Sequence, residues 1–90
     1  MRVRSDVSVR VTVRYFAAAR AAAGAEAERI ELPPGSTVAD LVSLLSDRDH
    51  QLATVLRRCS YLCDGLAVRD TSTELGAGQT VDVLPPFAGG

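Results

Sequence analysis

The chain has 90 residues, a formal net charge of −1, and ten basic residues that are all arginine. Ninety residues suit one domain and one hydrophobic core, because domains run to about 100–150 residues. The near-neutral charge argues against a nucleic-acid protein, which normally shows a strongly basic face, and no run approaches the ~18 consecutive apolar residues of a membrane span.

Residues 1–6 read as a short extension. They carry positive charge, but the valines that follow alternate with polar residues, which is not the apolar core of a secretory signal. The expectation is a cytoplasmic protein with Cys59 and Cys63 as reduced thiols. One Cys-x-x-x-Cys pair and the single His50 do not complete a metal site, so both thiols read as structural and no metal is expected.

From Val7 to Phe16, the residues Val7, Val9, Val11, Val13 and Tyr15 share one parity, the period of a half-buried strand. Phe16 falls on the opposite parity, with Arg10 and Arg14. Ala17 to Ala23 reads as a short helical run stopped by Gly24. Glu28, Ile30 and Leu32 fit a second strand, closed by Pro33-Pro34-Gly35. Thr37 is a good N-cap, with Asp40 in the capping-box position. Val38, Leu41, Val42 and Leu45 then recur at helical spacing, predicting the main amphipathic helix over 38–46. Leu52, Val55, Leu56 and Cys59 predict a shorter second helix whose last turn carries Arg57 and Arg58. Tyr61 to Cys63 and Leu66 to Val68 read as two short strands joined by an Asp64-Gly65 turn. Gly76 to Gly78 marks another turn, and Thr80 to Leu84 is the last strand, stopped by Pro85 and Pro86. The expected fold is α+β: a mixed, curled sheet of about five strands over one main helix plus a short second helix. The domain spans 7–84 and the tail 85–90. Val9, Val11, Val13, Leu41, Leu45, Leu56, Val81 and Val83 are the expected core, which leaves Phe16 and Leu84 as apolar residues facing outward.

No catalytic constellation is visible. His50 has no nucleophile partner, the serines lack a nucleophile-elbow context, Gly76-Ala-Gly78 is too short for a phosphate loop, and Asp47, Asp49 and Asp64 do not have calcium-loop spacing. What remains is Pro85-Pro-Phe-Ala-Gly-Gly90. Two stiffening prolines follow a strong strand, and six extended residues reach ~20 Å, far enough to enter another protein's active site. Gly89 and Gly90 lack Cβ atoms and so fit a channel too narrow for side chains. A carboxylate presented in this way is a substrate and not a catalyst.

Phe16-Ala-Ala-Ala-Arg20 with Gly24, the Gly78-Gln-Thr-Val-Asp-Val segment and the Pro85-to-Gly90 ending resemble the small subunit of molybdopterin synthase, of the ubiquitin-like β-grasp sulfur-carrier family. Nearly the whole chain after residue 6 takes part in the likeness. That family often has Asn where Asp64 stands and a β-branched residue where Phe87 stands. The resemblance implies a β-grasp fold and a non-catalytic carrier. It implies that Gly90 is adenylated by a ubiquitin-activating-like enzyme using ATP, then converted to a thiocarboxylate by a persulfide donor. The charged carrier would deliver dithiolene sulfur in the synthase large subunit, with no cofactor bound by this chain itself. Pro86, Phe87, Ala88 and Gly89 would thread the tail, while Phe16, Leu84 and Arg20 would dock the partner. A carrier for thiamine or cysteine synthesis, a ubiquitin-like binding module and a conjugated modifier remain alternatives with the same fold.

Overall fold

The structure, a computed structural model, describes residues 8–86. In chain order the elements are β1 (Val9–Tyr15), α1 (Ala17–Ala23), β2 (Ala27–Leu32), α2 (Val38–Arg48), α3 (His50–Leu56), β3 (Ser60–Cys63), β4 (Leu66–Ala67) and β5 (Thr80–Leu84). The strands form one five-stranded sheet in the order β2-β1-β5-β3-β4. β1 and β5 run parallel at its centre, and the other three pairings are antiparallel. This is the α+β arrangement that the periodicities predict, with the connection between the first two strands occupied by α1.

Local chemistry sets the boundaries. α1 ends because Gly24 takes a φ of 76°, where a side chain is disfavoured, and donates its N–H to the Arg20 carbonyl at 2.9 Å. α2 starts at a complete capping box. The Thr37 hydroxyl accepts from Asp40 N–H at 3.2 Å, and the Asp40 carboxylate accepts from Thr37 N–H at 2.9 Å. α3 begins earlier than its apolar spacing suggests, because Asp49 accepts from the N–H groups of Gln51 and Leu52 and caps it. It also ends earlier, at Leu56, so Arg57 is its C-cap and Arg58 lies beyond it. The chain must leave the helix there to enter β3 at Ser60.

Asp64 and Gly65 have φ values of 49° and 85°. Two positive φ angles between antiparallel strands make the two-residue hairpin whose twist matches the sheet. Asp64 also ties this hairpin to β5, accepting from Thr80 N–H at 2.9 Å through its side chain.

The core lies between one face of the sheet and α2. Val11, Val13 and Tyr15 of β1, Ile30 and Leu32 of β2, and Val81 and Val83 of β5 meet Val38, Leu41 and Leu45 of α2, with Leu52 and Leu56 of α3 closing one side. Val9 differs from its expected burial and is only half-buried. It precedes Thr12, the first β1 residue paired to β5, so one flank of its backbone has no neighbouring strand. A polar tie closes the edge near β2: the Glu28 carboxylate accepts from Tyr15 OH at 2.5 Å and from an Arg48 N–H at 2.6 Å. Burial alone would raise the Glu28 carboxyl, but the hydrogen bonds from Arg48 and Tyr15 outweigh it and hold the group below its usual range.

Candidate functional site

The strand register defines the sheet face turned away from α2. Arg14 pairs with Asp82, Asp82 with Leu62, and Leu62 with Ala67, so these four residues form one row across β1, β5, β3 and β4. In the next row Leu84 pairs with Ser60. Phe16 sits beside this row, because its N–H donates to the Val83 carbonyl at 3.2 Å and continues the β1–β5 ladder by one step.

The backbone then turns sharply. Ala17 has a φ of 51°, a left-handed conformation unusual without glycine. This turn takes the chain off the sheet into α1 and leaves the Phe16 side chain 37 % exposed. Leu84 is half-buried. Phe16 and Leu84, separate in sequence, are thus neighbours at one corner of the face. Arg20, the third residue expected at this corner, pairs with Glu26 at 2.8 Å, and both side chains are largely exposed. Such a pair contributes little to stability.

The central row holds a group the sequence reading did not single out. Asp82 is only 6 % exposed although it lies on the outer face. Arg14 grips it with two bonds, Nε to Oδ1 at 2.6 Å and Nη2 to Oδ2 at 2.9 Å. A fork of this kind offsets the cost of burying a carboxylate. The hydrogen bonds that Arg14 donates to Asp82, and the Asp82 charge, raise the Arg14 pKa further above its already high value. The Arg14 guanidinium also lies 5.5 Å from the centre of the Phe16 ring, within cation–π reach. Arg14 and Asp82 both have outward parity, one on β1 and the other on β5. Only the parallel pairing of β1 with β5 brings them opposite each other, and that register is not written in either strand alone.

β5 delivers the chain to the tail at the same corner. Pro85 is half-buried and Pro86 exposed, and both line an apolar groove of about 290 Å³ with Ala18, Thr54, Val55 and Arg58. Phe87, Ala88, Gly89 and Gly90 lie outside the described residues.

Among the described residues no group of three or more His, Cys, Asp or Glu side chains could hold a metal ion, and no helix is long and apolar enough to cross a membrane. Burial pushes the Cys59 thiol up, and burial with the nearby Asp64 charge does the same to Cys63. Both shifts oppose thiolate formation, the reverse of what an activated cysteine needs.

A mixed five-stranded sheet over a main helix, with a central strand running into a tail, defines a ubiquitin-like β-grasp protein. The model of the ThiS family matches residues 13–90, and the chain belongs to that family. It is 30 % identical over 83 residues to the molybdopterin synthase sulfur carrier subunit of Chlamydomonas reinhardtii, covering 91 % of this chain and all of the relative. A solved Pyrococcus furiosus protein described as molybdopterin converting factor subunit 1 superposes with a TM-score of 0.81 at 33 % identity, over 89 % of this chain and 100 % of that one. A chain in a solved complex of subunits 1 and 2 of the molybdopterin-converting factor from Helicobacter pylori shares the fold, with a TM-score of 0.70 at 23 % identity, over 91 % of this chain and 100 % of that one.

Proposed function

We propose that this chain is the sulfur-carrying small subunit of a molybdopterin synthase, working in the cytoplasm, with Gly90 as its reactive residue. The observation that carries the reading is the path of β5. The central strand of the sheet leads into Pro85 and Pro86, which precede Gly89 and Gly90 in the sequence, beside the corner where Phe16 is exposed and Leu84 half-buried. The whole-length likeness to a named sulfur carrier subunit supports it.

A carboxylate is a poor electrophile, because its charge is delocalised and its oxygen is a poor leaving group. An adenylating partner overcomes this with ATP. The Gly90 carboxylate displaces pyrophosphate and becomes an acyl-adenylate. The outer sulfur of a persulfide donor then displaces AMP to give an acyl disulfide. A second thiol on the partner attacks the donor's sulfur, forming a disulfide with it and releasing the terminal sulfur on Gly90. The product is a thiocarboxylate that the large subunit uses on a pterin precursor. On this reading the chain supplies positioning and a covalent reagent, and the partners supply the acid–base groups. Phe16 and Leu84 dock those partners while Pro86, Phe87, Ala88 and Gly89 deliver Gly90.

The test is intact mass spectrometry of the purified chain after incubation with its adenylating enzyme, ATP and a sulfur donor. The expected result is a gain equal to the difference between sulfur and oxygen, located on the C-terminal peptide and dependent on ATP. An unchanged mass under conditions where the enzyme adenylates an authentic carrier would refute the reading. Sulfur transfer to a pterin precursor then distinguishes this pathway from a carrier that serves thiamine or cysteine synthesis.

A further inference from the structure

The Arg14–Asp82 pair lies in the middle of the face that docking would cover, among Phe16, Leu84 and Leu62. Its two ends are unequally exposed: the Arg14 side chain is 52 % accessible and that of Asp82 9 %. A partner approaching this face therefore meets a cation first, although the pair is formally neutral. Arginine has five N–H donors. Two of them are engaged by Asp82, and no other acceptor among the described residues engages the rest. The guanidinium is already oriented, held by the fork on one side and by the Phe16 ring on the other. An arginine fixed in this way forms a further bond with less loss of side-chain freedom than a mobile one.

The other charges near this corner are mixed. Arg58 lines the groove at the tail root with Pro85 and Pro86, and Arg20 is balanced by Glu26. Apolar residues around a single oriented arginine match the composition of interface hot spots, where arginine and aromatic side chains are enriched. Closing an apolar surface over Arg14 without an acceptor would strand its free N–H groups, which is costly.

We infer that Arg14, positioned by Asp82, selects the docking partner by taking a carboxylate that the large subunit presents within an apolar patch. This rests on the proposed docking of the Phe16–Leu84 face and adds to it the chemistry of the complementary surface. The pair has a second role only if binding responds to it separately from folding.

The decisive variant replaces Arg14→Gln and Asp82→Asn together, which removes both charges and leaves two amides able to hydrogen-bond each other. Binding to the cognate large subunit is measured by calorimetry, with thermal unfolding of the variant as a control for folding. The dissociation constant is expected to rise about tenfold or more, the scale of one charge-assisted contact. For the wild-type chain it should also rise as NaCl goes from ~50 to ~500 mM, and this dependence should be weaker in the variant. An unchanged constant in a folded variant overturns the inference. So does salt-insensitive binding by the wild-type chain, a result that holds whatever the variant's stability. Phe16→Ser separates the two layers. If Phe16→Ser weakens binding and the double variant does not, only the role of Arg14 falls. If Phe16→Ser binds normally, the docking face itself is wrong.

Discussion

Val11→Ala is the sharpest test of how this sequence makes its fold. Val11 is fully buried on the inward side of β1, opposite Ile30 of β2 and in one cluster with Leu41 and Leu45 of α2. The substitution deletes two methyl groups, worth about 0.8 kcal/mol each in lost transfer free energy. A residual cavity of ~40 Å³, at ~24 cal/mol per Å³, adds about 1 kcal/mol if the neighbours do not close in. The expected loss is thus about 2–3 kcal/mol, a large share of the ~5–13 kcal/mol typical of a domain this size. In urea, with a slope near 1 kcal/mol per M, the midpoint should fall by ~2 M. Thr12, the next residue and of opposite parity, is half-buried on the outer face, and Thr12→Ala should cost no more than about 0.5 kcal/mol. Equal midpoints for the two variants would refute the assignment of the β1 faces. Below its own unfolding transition, Val11→Ala should still bind the large subunit normally, because the docking face lies on the other side of the sheet.

Gly89→Val should abolish sulfur delivery while leaving the unfolding midpoint unchanged, since residue 89 lies beyond Val83, the last core residue of β5; steady-state transfer and thermal melts measure the two effects. Glu28→Gln should lower stability by about 1–2 kcal/mol at neutral pH, because Glu28 accepts from Tyr15 and Arg48. The folded-state pKa of Glu28 is depressed, so its contribution is present above the unfolded value near ~4.3 and is lost as pH falls through the folded one. The gap between wild type and variant, followed by urea unfolding, should therefore close in acid. Gly65→Ala should cost about 1 kcal/mol from backbone strain alone, because φ is 85° and an added Cβ meets no atom within 4 Å; an unaffected melting temperature would count against the hairpin geometry.

Much of this fold is legible in the sequence because its signals are local. The period of two in β1, the period of 3.6 in α2, the Thr37–Asp40 capping box and the Asp64-Gly65 turn each lie within a dozen residues and match the structure. What was not legible depends on pairing. Asp82 reads as an ordinary polar residue on an outer face, and only the β1–β5 register buries it against Arg14. The early start of α3 was readable from Asp49, a good N-cap, but the apolar spacing from Leu52 hid it. Of the expected site, the structure brings Phe16 and Leu84 to one corner, with Arg20 tied to Glu26 nearby, and places Pro86 in the groove with Ala18 and Val55. The chemistry assigned to Gly90 comes from its residue type and from resemblance, since four of the tail residues lie outside the described part.

The most direct test of the account removes one residue. A chain lacking Gly90 moves the reactive carboxyl back by ~3.5 Å, outside the near-attack distance that group transfer requires. With the adenylating enzyme, ATP, a sulfur donor and the large subunit supplied, that chain is predicted to form no usable thiocarboxylate and to deliver no sulfur to a pterin precursor. It should still bind the large subunit through Phe16 and Leu84 and compete with the wild-type chain. Sulfur delivery at the wild-type rate from the shortened chain would contradict the carrier role of Gly90.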